Sequence, residues 1–161
     1  MARGTEGIRC TGIPPFSDLF GTRDVTQAFL PLPARSQGAL VNVASLAAWA
    51  AVPASVGYSI SKAAVFSLSQ SWRAILAGGG VSVHVVLPGP VDTDMTKGFD
   101  EVPKPSAESA ARNIFDGVEK GEEDIFPDPV SESVSESWRS GAIKELEHRY
   151  AAAYLAVPPG R

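Results

Sequence analysis

The sequence predicts an α/β fold built on a parallel sheet, and three observations predict it. Two compact apolar runs rich in β-branched valine, GALVNVAS at 38–45 and VSVHVVL at 81–87, have the length and composition of buried strands. Between them, from Val56 to about Leu76, the residues Ile60, Ala63, Ala64, Leu68, Trp72 and Ile75 recur every three or four positions, until GGG at 78–80 ends the helical pattern. Two strands joined by a helix over so short a connection form a βαβ unit, in which the strands are parallel and the crossover is right-handed.

The other elements follow from periodicity and breakers. Residues 22–32, TRDVTQAFLPL, set Val25, Ala28, Phe29 and Leu32 at helical spacing, and Pro31 is expected to end that helix. Pro88 closes the second strand. Ser106 caps a helix on which Ala107, Ala110, Ala111, Ile114, Phe115 and Val118 make one stripe. A short strand is expected around DIFP at 124–127. Ser131 to Leu155 reads as a last helix in which Trp138, Ala142, Leu146, Tyr150 and Tyr154 step by four, weakened at Gly141. The organisation is therefore an irregular segment at 1–17, one folded domain at 18–155 and a flexible tail at 156–161.

Composition narrows the function. With 161 residues, 44% hydrophobic and 20% charged, the chain suits one soluble domain. A net charge of −4 and the lack of any Lys/Arg run argue against nucleic acid as a partner. Cys10 is the only cysteine, so it has no internal disulfide partner and no second thiol for a metal cluster. No secretory signal core opens the chain, and a cytoplasmic location is expected. No charge occurs between Arg35 and Lys62, yet Asn42, Ser45, Pro53, Ser55 and Gly57 break that window, which argues against a membrane span.

The polar residues that could do chemistry gather at one edge. In open parallel sheets ligands sit outside the carboxyl ends of the strands. Ser45 ends the first strand, Tyr58 and Lys62 open the next helix, and PGPVDT at 88–93 follows the second strand. Tyr58 and Lys62, in YSISK, are four residues apart and so share a helix face. A phenol titrates near ~10 in water, and a nearby cation favours its ionised form. A serine hydroxyl beside it can hold a carbonyl or alcohol oxygen while the phenol passes a proton. Inert readings compete: Ser45 as a strand end, Tyr58 as a water-bonded helix residue, His84 and His148 as structural or solvated. The acidic stretches GEED at 121–124 and SESVSES at 131–137 read as solvated faces or caps. A hydrolase triad of Ser45, Asp92 and His148 has a usable chain order but lacks the G-x-S-x-G elbow.

Taken together, VNVAS, the 13-residue separation of Ser45 and Tyr58, YSISK and PGPVDT resemble the short-chain dehydrogenase/reductases, from about Asp18 to Tyr154. The resemblance implies a partial Rossmann-like, doubly wound parallel sheet with flanking helices. It implies hydride transfer between a nicotinamide cofactor, NAD or NADP, and a small-molecule carbonyl or secondary alcohol. Tyr58 then matches the acid/base, Lys62 the residue that bonds the nicotinamide ribose and assists Tyr58, and Ser45 the residue that orients the substrate oxygen. Pro88 and Gly89 match the turn beside the nicotinamide, and Thr93 a hydroxyl on its carboxamide. Leu46 to Gly57, with Trp49 and Val52, lies where the family builds its substrate wall. The two helices flanking the Ser45 strand imply a homodimer contact.

Two departures accompany the resemblance. The family's catalytic Asn is replaced by Asp18, 27 residues before Ser45. The strand and Gly-rich turn that would cradle the cofactor pyrophosphate are missing; TGIPPF at 11–16 starts like that turn but continues with prolines. The chain thus reads as the catalytic and C-terminal half of such an enzyme, or as a truncated, non-catalytic remnant that cannot bind cofactor by itself.

Overall fold

A computed structural model describes residues 15–98 and 102–156. Cys10, most of the segment expected to be irregular at 1–17 and most of the tail at 156–161 lie outside the described residues. Among the described residues the elements are α1 (Pro15–Phe29), α2 (Pro31–Ser36), β1 (Ala39–Val43), α3 (Val56–Leu76), β2 (Ser82–Val86), α4 (Ala107–Glu119), β3 (Asp124–Ile125), α5 (Pro129–Arg139) and α6 (Ala142–Leu155). The three strands form a parallel sheet in the order β1-β2-β3, with Ala39 beside Ser82 and Val86 beside Ile125. The predicted βαβ unit is present with the predicted helix bounds.

The core lies where α3 and the carboxyl-terminal turns cover the sheet. Ala44, Val65, Phe66, Val85, Leu87 and Phe126 are buried there, with Trp49 and Trp138 packed against them. The Trp49 and Trp138 rings stack with centroids 4.2 Å apart, and Phe66 meets both edge-on at 5.8 and 5.6 Å.

The buried faces of the helices differ from the apolar stripes in the sequence. On α3, Ile60 and Ile75 are exposed while Ser59, Ser61 and Ser69 are buried. Small hydroxyls bring the helix close to β1 and supply a bond that an alkyl group could not: Asn42 Nδ2 donates to Ser69 Oγ at 3.0 Å. On α1, Thr26 is buried whereas Val25 and Phe29, like Leu32 on α2, are each 59% exposed, so the expected stripe points away from the core. α1 also begins at Pro15 rather than Thr22. Pro31 ends it as expected and then opens α2, since a first helical position needs no N–H. On α4, Ala110 and Gly117 face inward and Phe115 faces outward.

The last helix is two helices. Asp128, not Ser131, starts α5: its carboxylate accepts from Val130 N and Ser131 N, and Pro129 holds the first position. The break falls at Ser140–Gly141, where a Cβ on Gly141 would lie 2.6 Å from the Ser137 carbonyl oxygen.

GEED is a second correction, because its last residue is buried. Asp124, 4% exposed, accepts from Arg73 Nη2 at 2.9 Å, Lys144 Nζ at 2.6 Å and Trp138 Nε1 at 2.8 Å. Lys144 also reaches Glu123 at 2.7 Å and Glu147 at 3.0 Å; Arg73 bonds Glu147, and His148 meets Glu123 at 3.1 Å. This network ties α3, β3, α5 and α6 together. Burial opposes the charge of Glu123, but hydrogen bonds from Lys144 and His148, with the charges of Arg73 and Lys144, bring it from 4.5 to about 2. Asp124 is lowered as well, since Arg73 and Lys144 outweigh its burial, and Lys144 is raised because its carboxylate partners outweigh its own.

Depressed carboxylates stabilise the fold above their unfolded values, and that contribution disappears as pH falls through the folded ones. The raised Lys144 contributes below its ordinary 10.5, and its share disappears as pH rises through its folded value. The urea midpoint is therefore expected to fall as pH drops from 4.5 towards 2, as Glu123 takes up its proton, and the lowered Asp124 adds to the loss in acid. A midpoint that stays flat through that window would show the network contributes nothing.

Candidate active site

The carboxyl ends of β1 and β2 are bound to each other. Ser45 leaves β1 in extended conformation and caps the 3-10 turn Leu46–Ala48, accepting from Ala47 N at 3.2 Å. Its hydroxyl donates to the Pro88 carbonyl oxygen at 3.3 Å, and Leu46 N donates to that oxygen at 3.0 Å. Ser45 is thus buried and held between the two strand ends.

Tyr58 and Lys62 stand on the first turns of α3, as their spacing requires. The Lys62 ammonium lies 5.7 Å from the centre of the Tyr58 ring. It also donates to the Val43 carbonyl oxygen at 3.3 Å, two residues before Ser45, so all three residues belong to one locus. Among the described residues the Tyr58 hydroxyl has no hydrogen-bond partner, so it is available to a ligand. Asp18 comes from α1 to the same place: its Oδ2 lies 3.7 Å from Lys62 Nζ and accepts from Ser61 Oγ at 3.2 Å.

Gly89 and Thr93 follow β2 at the same end. The Gly89 N–H donates to Asp128 Oδ2 at 2.8 Å, and a Cβ at Gly89 would lie 2.8 Å from Asp128 Oδ1, so a larger residue would push that carboxylate out of place. Thr93 is exposed and caps the 3-10 turn Asp94–Thr96. Asp128, which fixes this turn while capping α5, was not anticipated from the sequence. The Asp-Pro pair of FPDPV was its signal, as an N-cap followed by proline at the first helical position.

Two serines of YSISK brace the site. Ser59 Oγ accepts from Val52 N at 2.9 Å and pins the loop after Ser45 to α3. The Ser61 hydroxyl lies 2.8 Å from the Tyr58 carbonyl oxygen and 3.2 Å from Asp18 Oδ2, so its one hydrogen is shared between them. Trp49 does not form an open wall: it turns into the aromatic core, while Val52 is exposed. Clefts of about 460 Å³ between α4, β3 and α5, and about 510 Å³ between α3 and α6, both lie away from Ser45, Tyr58 and Lys62. The hydrolase alternative finds no support in the geometry: His148 pairs with Glu123, whose carbonyl oxygen accepts from Val85 N within β2, while the Ser45 hydroxyl is engaged by the Pro88 carbonyl oxygen and Ala47 N. His84 is structural: Nδ1 donates to the Glu122 carbonyl oxygen at 2.6 Å, and Nε2 lies 3.0 Å from Ser82 Oγ.

The family described as short chain dehydrogenase matches residues 17–103, more than half of the chain and the part that holds this locus. The chain belongs to the short-chain dehydrogenases. An uncharacterized oxidoreductase of Staphylococcus epidermidis is 39% identical over 99 residues, covering 61% of this chain and 42% of that protein. Estradiol 17-beta-dehydrogenase 2 of Mus musculus is 31% identical over 121 residues, 75% of this chain and 28% of that one. A solved short chain dehydrogenase of Burkholderia cenocepacia in complex with NADP is 29% identical with a TM-score of 0.71, covering 89% of this chain and 58% of that one. The chain therefore spans less than half the length of these curated relatives. This family uses NAD or NADP, and the sheet is the Rossmann-like one its neighbours share. Among the described residues no helix is long and apolar enough to cross a membrane.

The fit to that cofactor is one-sided. Lys62 and the Gly89 turn offer a cation and a close-approach backbone at one end of the sheet. Among the described residues no strand is followed by a Gly-rich turn and a helix, so a pyrophosphate cradle is not among them.

Proposed function

We propose that this chain carries the catalytic half of an NAD(P)-dependent oxidoreductase that interconverts a carbonyl and a secondary alcohol. The observation that carries the reading is Lys62, which stands between the Tyr58 ring and the Val43 carbonyl oxygen, two residues before Ser45. Lys62, Tyr58, Pro88, Gly89 and Thr93 would hold the nicotinamide-ribose end of the cofactor. The bound cofactor supplies or accepts the hydride. Ser45 Oγ rotates from the Pro88 carbonyl to the substrate oxygen and fixes it. Tyr58 Oη donates its proton to that oxygen during reduction and takes it back during oxidation. Lys62 stabilises the phenolate that results. The exposed Val25 and Phe29 of α1 and Leu32 of α2 suit a homodimer contact, which light scattering tests.

The experiment is to join the chain to a dinucleotide-binding half and follow nicotinamide absorbance with a panel of apolar and aromatic ketones. Turnover with any of them supports the reading; none across the panel, with cofactor bound, overturns it.

Asp18 restrains the site in this reading. Its carboxylate partly neutralises Lys62 at 3.7 Å. Partly exposed pairs contribute ~0.2–1 kcal/mol, so Asp18→Asn is expected to raise the rate of the joined protein at neutral pH by ~2–5-fold. A fall would mean that Asp18 acts in its own right.

A further inference from the structure

The peptide unit between Pro88 and Gly89 is held from both sides. Its carbonyl oxygen accepts from Leu46 N at 3.0 Å and from the Ser45 hydroxyl at 3.3 Å, on the β1 side. Its N–H donates to Asp128 Oδ2 at 2.8 Å, on the α5 side. A peptide is planar and trans, so a constraint on the N–H is also a constraint on the carbonyl. The unit lies beyond the paired residues of β2, and Gly89 has no side chain to fix it by packing. Among the described residues, the bonds to Leu46, Ser45 and Asp128 are the ones that orient it.

Asp128 does more than start a helix. An N-cap needs one acceptor atom, and Oδ1 supplies it to Val130 N at 3.1 Å and Ser131 N at 3.0 Å. A serine or an asparagine would serve there equally well. Oδ2 is left for Gly89, and the Ser131 hydroxyl, 2.7 Å away, steadies it. Asp128 is 3% exposed, between Pro129 at the first helical position and Pro127, whose carbonyl oxygen accepts from Asn113 Nδ2 at 2.8 Å. The carboxylate is therefore a fixed, charged acceptor. Such an acceptor on the N–H of a peptide makes the carbonyl at its other end a better acceptor in turn.

We propose that Asp128 is a positioning residue for Ser45: through the Pro88–Gly89 peptide it fixes the carbonyl on which the Ser45 hydroxyl rests. The cap of α5 is thereby coupled to the hydroxyl that holds the substrate oxygen. That this hydroxyl holds a substrate rests on the dehydrogenase reading; the clamp on the peptide does not.

Asp128→Asn separates the two roles of the side chain. The paired N–H groups of Val130 and Ser131 draw the amide oxygen to their side, so the cap stays and the Gly89 bond is lost. Hydrogen exchange of the chain is then compared at Leu46, which donates to the Pro88 oxygen, and at Leu87, which donates to the Ile125 oxygen just before the turn. Leu46 is expected to exchange at least ~tenfold faster in the variant, with Leu87 unchanged. Equal acceleration of both would mean that Asp128 merely supports the fold, and none at Leu46 that the peptide needs no clamp; either result overturns the proposal. Should the Asn variant fail to fold, Asp128→Ser, whose single oxygen is taken by the cap, carries the same comparison. In protein joined to a dinucleotide-binding half, Asp128→Asn is expected to lower kcat ~tenfold beside an intact Ser45 and less than ~twofold on the residual rate of Ser45→Ala, since residues that act through one another are not additive. The same fall in both backgrounds would also overturn it. No turnover in the joined wild type, with Leu46 exchange raised in the variant, removes the dehydrogenase reading and upholds the clamp.

Discussion

Tyr58→Phe is expected to lower carbonyl reduction by ~10²–10⁴-fold in protein joined to a dinucleotide-binding half, the range over which general acid catalysis contributes. The change removes one oxygen. Because no described residue bonds that hydroxyl, its loss leaves no partner unsatisfied, and the melting temperature should stay near wild type, while cofactor affinity, still held by Lys62 and the Gly89 turn, should change far less than kcat. This separation makes the result interpretable: kcat falls by orders of magnitude, while the fold does not change. A Phe variant that keeps most of its turnover would remove Tyr58 from the chemistry. Lys62→Ala should behave differently, weakening cofactor binding along with the rate, since the same ammonium serves ribose and phenol. It should also cost some stability, because the Val43 oxygen loses its donor.

Asp124→Ala is the largest expected effect on stability. The carboxylate is buried and receives Arg73, Lys144 and Trp138 Nε1, so its removal takes from two cations their most buried counter-charge and leaves them Glu123 and Glu147. Breaking a buried pair from one side costs ~3–5 kcal/mol, and the remaining carboxylates place this case at the lower end of that range. For a chain this size that is a large part of the total. Urea denaturation followed by the fluorescence of the Trp49–Trp138 stack would measure it. A cost under ~1 kcal/mol would mean that water reaches the network and screens it.

The βαβ unit and the site were legible in the sequence for the same reason. A valine-rich run between small polar residues has few structural alternatives, and GGG leaves little doubt about where α3 stops. Ser45 at a strand end and Tyr58 one turn from Lys62 were local relations, and local relations survive folding. Long-range ones were less visible. Nothing near Asp124 in sequence announces that Arg73 and Lys144 will converge on it, so GEED looked like surface. The buried serines of α3 were passed over because hydrophobic periodicity ignores hydroxyls, although Asn42 needed one of them as a partner. Gly141 was noted only as weak helix; that a Cβ there would meet the Ser137 oxygen depends on the turn actually taken. The outward stripe of α1 and α2 shows the converse error, since Val25, Phe29 and Leu32 are exposed rather than packed on this core.

The most direct test of the account follows the hydride itself. The chain joined to a dinucleotide-binding half is supplied with a ketone and NADPH carrying deuterium at the transferable position of the nicotinamide, and the alcohol product is analysed by mass and NMR. The account predicts deuterium on the carbinol carbon, formed at a rate that collapses in Tyr58→Phe. Alcohol carrying no deuterium, or labelled alcohol formed equally fast by the Phe variant, would contradict it.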